Sequence, residues 1–372
     1  MTLSQEKLEQ LQKQFPKDMP AGAILALAER LPEGMPIEQI MGQMAGIAAT
    51  LPLKTLPDGE ICRQVIWELQ EQADRKTRTQ PGNPKKIVRD FYDSLLLEMR
   101  LMGASVPVLE KELFGKRFSA PVMTAALSHM GVSSAGKSRT VEYALAAKEL
   151  NLLHWVGMCE NDEFEAIMRT GVAAVRIVKP YANETKIADQ LRRAEELGAV
   201  AVGMDIDHVF NNRGEVDVVF GEALATKTLT QMEAYRKMTE LPFIVKGVLS
   251  VTDAKRCMEI GAKGIVLSHH GGKLKYAVPP AMILQEVRET VGSDMAVFID
   301  CGIASGMDAY KALALGADAV SIGSRLIKPL RENGTEGVVR GFREILSELK
   351  ETMACTGVSD CGRFDASVIR RK

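Results

Sequence analysis

Several kinds of residue are scarce in this chain. Aromatic residues make up 5% of it, and 47 Lys+Arg nearly balance 48 Asp+Glu, leaving a formal net charge of -1. Nucleic acid and anionic membrane surfaces call for stacking rings and a basic excess, and neither is present. The six cysteines (Cys62, Cys159, Cys257, Cys301, Cys355 and Cys361) stand far apart. No CxxC pair and no His/Cys cluster at zinc spacing occurs among them, which argues against a disulfide scaffold and a sequence-evident metal site. The N-terminal MTLSQEKLEQLQKQF lacks the basic segment and apolar run of a secretory leader. The most apolar early stretch, Ile37 to Leu53, contains Glu38 and is broken by Gly42, Gly46 and Pro52. A membrane-spanning helix needs about 20 mostly apolar residues. The reading is a cytoplasmic protein with no membrane segment, no nucleic-acid partner and no metal.

What the chain does have is an ordinary globular composition, 46% hydrophobic and 26% charged over 372 residues. That size suits either two domains or one (β/α) barrel with an appendage. Residues 1–80 read as short amphipathic helices, with Leu8, Leu11 and Phe15, then Ile24, Leu25, Ala28 and Leu31, then Ile37, Ile40, Met41, Met44 and Ile47 at helical spacing between proline turns. A polar, turn-rich segment from Thr77 to Lys86 follows and marks a boundary. The expected division is a helical extension at 1–80 and a barrel at 88–372.

From about residue 120 short β-branched runs alternate with amphipathic helical runs. Strands are expected at Pro121–Ala126, Leu152–Val156, Ala173–Val178, Val200–Asp205, Phe243–Lys246, Gly264–Ser268, Val297–Asp300 and Ala319–Ile322. Helices are expected at Thr140–Leu150, Asp162–Thr170, Asn183–Leu197, Thr252–Ile260, Ala281–Val291, Met307–Leu315 and Gly337–Met353. Continuously apolar strands with helices between them make a parallel sheet buried on both faces, and eight such units predict an α/β fold, a (β/α)8 TIM barrel. Barrel chemistry sits at the C-terminal strand ends. There the sequence places Ser128-His129, Gly157, Lys179, Asp205-Ile-Asp207-His208, Lys246-Gly247, His269-His270-Gly-Gly-Lys273, Asp300-Cys-Gly302 and Gly323-Ser324-Arg325.

Three motifs stand out. GVSSAGKS, Gly131 to Ser138, satisfies the GxxxxGK[ST] pattern of a phosphate-binding loop and suggests a P-loop NTPase, with Asp300 as a magnesium-holding strand end. The expected strand, however, ends several residues before Gly131. Gly302 and Gly323-Ser324 follow adjacent strands, where barrels commonly bind phosphate on exposed N–H groups. LSHHGGK, Leu267 to Lys273, puts a histidine able to take a proton near neutrality beside a double glycine that leaves a substrate room.

LPFIVKGVLS (from Leu241), then GIVLSHHGG, then IDCGIASGMDAYKALALGADAVSIGS resemble the FMN-dependent α-hydroxy-acid oxidase and dehydrogenase family, which includes glycolate and lactate oxidases. The likeness runs from about Phe91 to the C-terminal TMACTGVSD. It implies an FMN enzyme that oxidises an α-hydroxy acid, with His270 removing a proton, Asp207 orienting His270, and hydride equivalents passing to the flavin N5. It further implies Lys246 at the flavin N1/O2 edge, Ser268 and Asp300 lining the cofactor site, and Gly302, Gly323 and Ser324 around the phosphate with help from Arg325. Lys273 and Arg213 would clamp the carboxylate of a small anionic substrate. A homo-oligomer, tetramer or octamer, is the family's habit.

The departures cluster around the substrate. His269 and Lys273 stand for the family's asparagine and arginine, and lysine is a point charge, not a two-pronged fork. Val178 brings no hydroxyl where the family has a tyrosine, although Tyr181 is near. Ala304 and Ser324 replace phosphate-holding arginines, and residues 1–80 displace the family's tyrosine-bearing N-terminal segment. The expectation is FMN binding with an atypical substrate. The alternatives are a flavin reductase or an enzyme like the type 2 isopentenyl diphosphate isomerase, a P-loop NTPase, and a degenerate barrel serving as an interaction subunit.

Overall fold

The computed structural model describes residues 80–372 apart from 129, 134, 212 and 220. The expected helical extension at 1–80 therefore lies almost wholly outside the described residues.

Eight parallel strands form one sheet: β1 (Val122–Thr124), β2 (His154–Val156), β3 (Ala174–Val178), β4 (Ala201–Asp205), β5 (Phe243–Val248), β6 (Gly264–Leu267), β7 (Ala296–Ile299) and β8 (Ala319–Ile322). Neighbours follow chain order from β2 to β8, and β8 then pairs with β1. The Thr124 N–H donates to Leu153 O at 3.2 Å and Leu127 bridges Val156, so β1 meets β2 and the sheet closes into a barrel. β3 and β4 are buried at every position, as a parallel sheet covered on both faces requires.

Between strands run α2 (Arg139–Glu149), α3 (Asn161–Met168), α4 (Glu184–Glu196), α5 (Leu229–Arg236), α6 (Val251–Glu259), α7 (Leu284–Val291) and α8 (Gly306–Ala314), with α9 (Ser324–Thr356) closing the barrel. Local chemistry starts them: the Asn183 side chain accepts from the Lys186 N–H, and Thr228 with Gln231 makes a capping box. α9 is twice the length expected. It runs through Pro329 and kinks where Asn333 and Gly334 leave helical geometry. Two helices were not expected at all, α5 and α1 (Pro84–Ser94); in α1, Asn83 caps the first turn and Pro84 opens the helix.

Met123, Trp155, Val175, Ile177, Ala201, Ile244, Val266, Phe298 and Ala319 pack together along the barrel axis. A hairpin, Lys111–Leu113 with Lys116–Phe118, sends Leu113 and Phe118 into the same cluster and stoppers the end opposite the C-terminal strand ends. The compact unit is Gly82–Glu215 with Ala225–Lys372. The segment between them holds a small antiparallel hairpin, Val218–Val219 against Glu222–Ala223.

The P-loop expectation fails on geometry. Within Gly131–Ser138 the Ser133 N–H donates to Lys137 O at 2.7 Å and the Gly136 N–H to Ser133 O at 2.9 Å, while Val132 bridges Ser138. The Lys137 N–H is taken by Ser133 Oγ at 3.1 Å. A nest for phosphate needs those amides pointing outward, and here the loop consumes them on itself.

Candidate active site

Side chains alternate along a strand, so counting in twos from the axial core residues reaches the C-terminal mouth. The positions reached are Asp205 (β4), Lys246 (β5), and, just past their strands, Lys179 (β3), Ser268 (β6), Asp300 (β7), Gly323 (β8), Ala125 (β1) and Gly157 (β2). One arc of this ring is charged or hydroxylated and the other is made of the smallest residues. A Cβ on Gly323 would stand 2.9 Å from Ala125 Cβ, and one on Gly157 would stand 2.4 Å from Ser128 Oγ. At both positions a side chain would clash, so packing along this arc requires glycine.

In the charged arc, Lys246 Nζ lies 3.2 Å from Ser268 Oγ, 3.3 Å from Asp207 Oδ2 and 3.6 Å from Asp300 Oδ2. Burial alone would strip the proton from this lysine, but Asp300, Asp205 and Asp207 together hold its proton affinity well above the usual value. Lys179 Nζ donates to Asp205 Oδ2 at 2.6 Å and sits 3.4 Å from His208 Nδ1. Burial pushes Asp205 up, yet the ammoniums of Lys246 and Lys179 outweigh it and hold the carboxyl well below the usual range. Asp207 goes the other way: burial raises it, Lys246 opposes, and the charge of Asp205 adds to the rise.

His270 Nδ1 is 2.7 Å from Asp207 Oδ1 and 3.6 Å from Asp205 Oδ2. Two backbone features aim this pair. His270 sits at φ 53°, a left-handed conformation uncommon for a side chain with Cβ, with its N–H on Ser268 Oγ at 3.1 Å. Asp207 reaches it because Gly247, at φ 97°, breaks the β5 register and leaves the space where a Cβ would be 2.5 Å from Asp207 Cβ. The His208 ring meets the His270 ring edge-on with centroids 4.9 Å apart. Cys301, also left-handed at φ 68°, donates to Asp300 Oδ1 at 2.8 Å.

Of the residues expected from sequence, His270, Asp207, Lys246, Ser268 and Asp300 come together in this cluster. Lys273 and Arg213 lie on exposed loop positions. Arg325 is directed to Glu344 of its own helix at 3.3 Å instead of to the mouth. The space at Gly302 is filled by α1, since a Cβ there would stand 2.1 Å from Val88 Cγ1, so packing explains this glycine. Tyr181 does not replace the hydroxyl missing at Val178; its ring lies under the Lys186 ammonium at 4.8 Å. Asp205, Lys179, His208, Cys301 and Gly247 stood among the strand-end residues named from sequence but were given no role there.

An anion finds unequal welcome at the neighbouring turns. After β7 the Ala304 N–H donates to Asp308 Oδ2 at 3.1 Å and the Gly306 N–H to Glu348 Oε2 at 2.7 Å. After β8, Gly323 and Ser324 begin α9 without a side-chain cap, leaving a helix N-terminus for phosphate. Asp205, Asp207 and His270 also offer ligand atoms within 4.8 Å of one another, but Lys179 and Lys246 already neutralise the carboxylates.

The sequence model of the FMN-dependent dehydrogenases matches residues 85–228 and 215–371. The chain belongs to this family. Similar proteins include a peroxisomal (S)-2-hydroxyacid oxidase of Arabidopsis thaliana, 29% identical over 69% of this chain and 79% of its own. A 4-hydroxymandelate oxidase of Amycolatopsis orientalis is 29% identical over 68% of this chain and 80% of its own. Among solved structures, a mandelate oxidase variant carrying an FMN adduct superposes with a TM-score of 0.69 at 27% identity, covering 81% of this chain and 98% of that one. The chain is thus an FMN-dependent oxidoreductase, and the buried cation and the uncapped α9 turn fit that cofactor.

Proposed function

We propose that this FMN-dependent oxidoreductase oxidises an α-hydroxy acid, with His270 as the base that takes the substrate proton. The observation carrying the assignment is the Asp207 Oδ1 to His270 Nδ1 contact of 2.7 Å, which fixes a proton on Nδ1 and leaves Nε2 to accept. As the ring gains charge, Asp207 lies against it and stabilises the imidazolium. Bound FMN supplies the two-electron acceptor. Lys246 holds a fixed positive charge at the mouth, where Ser268 and Asp300 line the cofactor site, and Gly323 and Ser324 take the phosphate.

Lys273 and Arg213 are assigned to the substrate carboxylate: both are cations on loops following barrel strands. A single-point ammonium at Lys273 grips a carboxylate less rigidly than a guanidinium fork, which supports a substrate other than the smallest 2-hydroxy acids. Among the described residues no helix is long and apolar enough to cross a membrane. The reading is completed by a cytoplasmic homo-oligomer, a tetramer or octamer, with the barrel at 88–372 as its catalytic part; light scattering measures the subunit number.

The decisive experiment mixes holoenzyme anaerobically with glycolate, lactate and mandelate and follows flavin bleaching. Wild type should bleach with at least one 2-hydroxy acid, and His270→Ala should retain FMN but lose bleaching by about 100-fold or more. An undiminished rate in His270→Ala would remove His270 from the base role.

A further inference from the structure

Two carboxylates flank one nitrogen of His270, and each has its own lysine. Asp207 is paired with Lys246 at 3.3 Å, and Asp205 with Lys179 at 2.6 Å, every member largely buried. A chain of contacts of 2.6 and 3.6 Å through Asp205 Oδ2 sets the Lys179 ammonium within about 6 Å of His270 Nδ1. The other groups facing His270 are His208 from the β4 loop, His269 and Ser268 beside it after β6, and Asp300 with Cys301 after β7. Lys179, just past β3, is the cation of the ring next to Val178, where no hydroxyl is available.

Resting on the assignment of His270 as the base, we propose that Lys179 is a positioning residue that keeps His270 able to accept a proton by neutralising Asp205. With Lys246 alone left to offset it, the buried Asp205 carboxylate 3.6 Å from the ring would favour the charged form of the imidazole, and a charged imidazole takes no proton. Lys246 is already shared among Asp207, Asp300 and Ser268, so it cannot serve Asp205 alone. Lys179 Nζ also stands 3.4 Å from Nδ1 of His208, whose ring meets the His270 ring edge-on.

The test follows ring protonation directly, by nitrogen-15 histidine NMR of holoenzyme titrated with acid, with the His270 signal assigned by its loss in His270→Gln. Removing a cation about 6 Å away through a medium of effective dielectric about 20–40 corresponds to about one to two pH units. Lys179→Met should move the His270 titration, and with it the acid limb of flavin bleaching, upward by that amount. Lys179→Arg should restore the wild-type position. The double variant Lys179→Met/Asp205→Asn removes the pair as a unit, avoids a lone buried charge, and should titrate at or below wild type. An unmoved titration in Lys179→Met, or a double variant as displaced as the single one, would overturn the proposal. Bleaching that survives in His270→Gln would instead defeat the base assignment while leaving the titrations interpretable.

Discussion

Gly247 offers the sharpest test of how the β5 bulge serves the site, through Gly247→Ala. At φ 97° the added methyl is strained at once, and it would stand 2.5 Å from Asp207 Cβ, 2.6 Å from its Cγ and 2.8 Å from its backbone N. Carbons in contact sit about 3.5–4 Å apart, so Asp207 must retreat by about 1 Å. Backbone strain of about 1–3 kcal/mol and overpacking of about 1–3 kcal/mol are the two costs, and the retreat relieves the second. That retreat stretches the 2.7 Å contact to His270 past hydrogen-bonding distance. Losing a hydrogen bond to a charged group costs about 1.5–3 kcal/mol, roughly a 10- to 100-fold slower flavin reduction. The assay is anaerobic stopped-flow bleaching beside a thermal melt of the holoenzyme. Gly198→Ala is the control, since Gly198 has φ 76° with nothing within 4 Å of an added Cβ. It should lower the melting temperature by a few degrees through about 1–2 kcal/mol of backbone strain and leave the rate alone. Wild-type reduction in Gly247→Ala, or an equal rate loss in both variants, would refute the argument.

Two further predictions use other parts of the barrel. His154 is buried, 2.9 Å from Thr124 Oγ1, and burial pushes it down to about 3. The unfolded chain therefore binds a proton at this position near pH 6.5 that the folded chain refuses until about pH 3. Its contribution to stability is complete above pH 6.5 and is lost as pH falls toward 3, amounting to a few kcal/mol at the acid end. Melting temperature measured against pH should fall through that window, and His154→Gln should flatten the fall; an unchanged slope would contradict it. Lys137→Ala, in the self-bonded GVSSAGKS loop, should leave FMN content and flavin bleaching intact. ATP binding by the wild type that this variant abolishes would revive the nucleotide reading.

The barrel was legible because both faces of its strands are buried, so each strand reads as a β-branched run without polar alternation. Boundaries slipped where hydrogen bonding, not burial, ends an element. The β1 ladder stops at Thr124 although Ala125 and Ala126 continue the apolar run, and β5 extends past Lys246 through a glycine bulge. α1 and α5 were missed for a different reason. α1 starts inside the Pro-Gly-Asn-Pro segment that marks a boundary in sequence, yet Asn83 and Pro84 are good residues for a helix start. At the site, the histidine motif and the strand-five lysine could be found by type and place. Asp207 was separated from Asp205 only by the family resemblance, because which of two carboxylates meets an imidazole depends on the bulge at Gly247. Arg325 shows the converse: its position in the chain fits a phosphate, but the helix it begins turns the side chain toward Glu344.

A net charge of -1 over the whole chain says nothing about the mouth of the barrel, whereas the local count explains why a base can work there. Asp205, Asp207 and Asp300 face Lys179 and Lys246, so the cluster carries one excess negative charge while His270 is neutral. In the proposed role of His270 as the base, taking a proton from substrate brings the cluster to neutrality. A buried site is penalised for unbalanced charge, so the imidazolium is favoured after transfer, not before it. The opposite shifts of the two neighbouring carboxyls serve the same end. Asp205, held ionised by Lys179 and Lys246, fixes the background charge, and Asp207, raised by burial and by Asp205, is the carboxyl with which His270 can share the arriving proton. Losing Lys179 would upset this, because Asp205 would be left to Lys246 alone and its less balanced charge would favour a proton on the ring before substrate arrives.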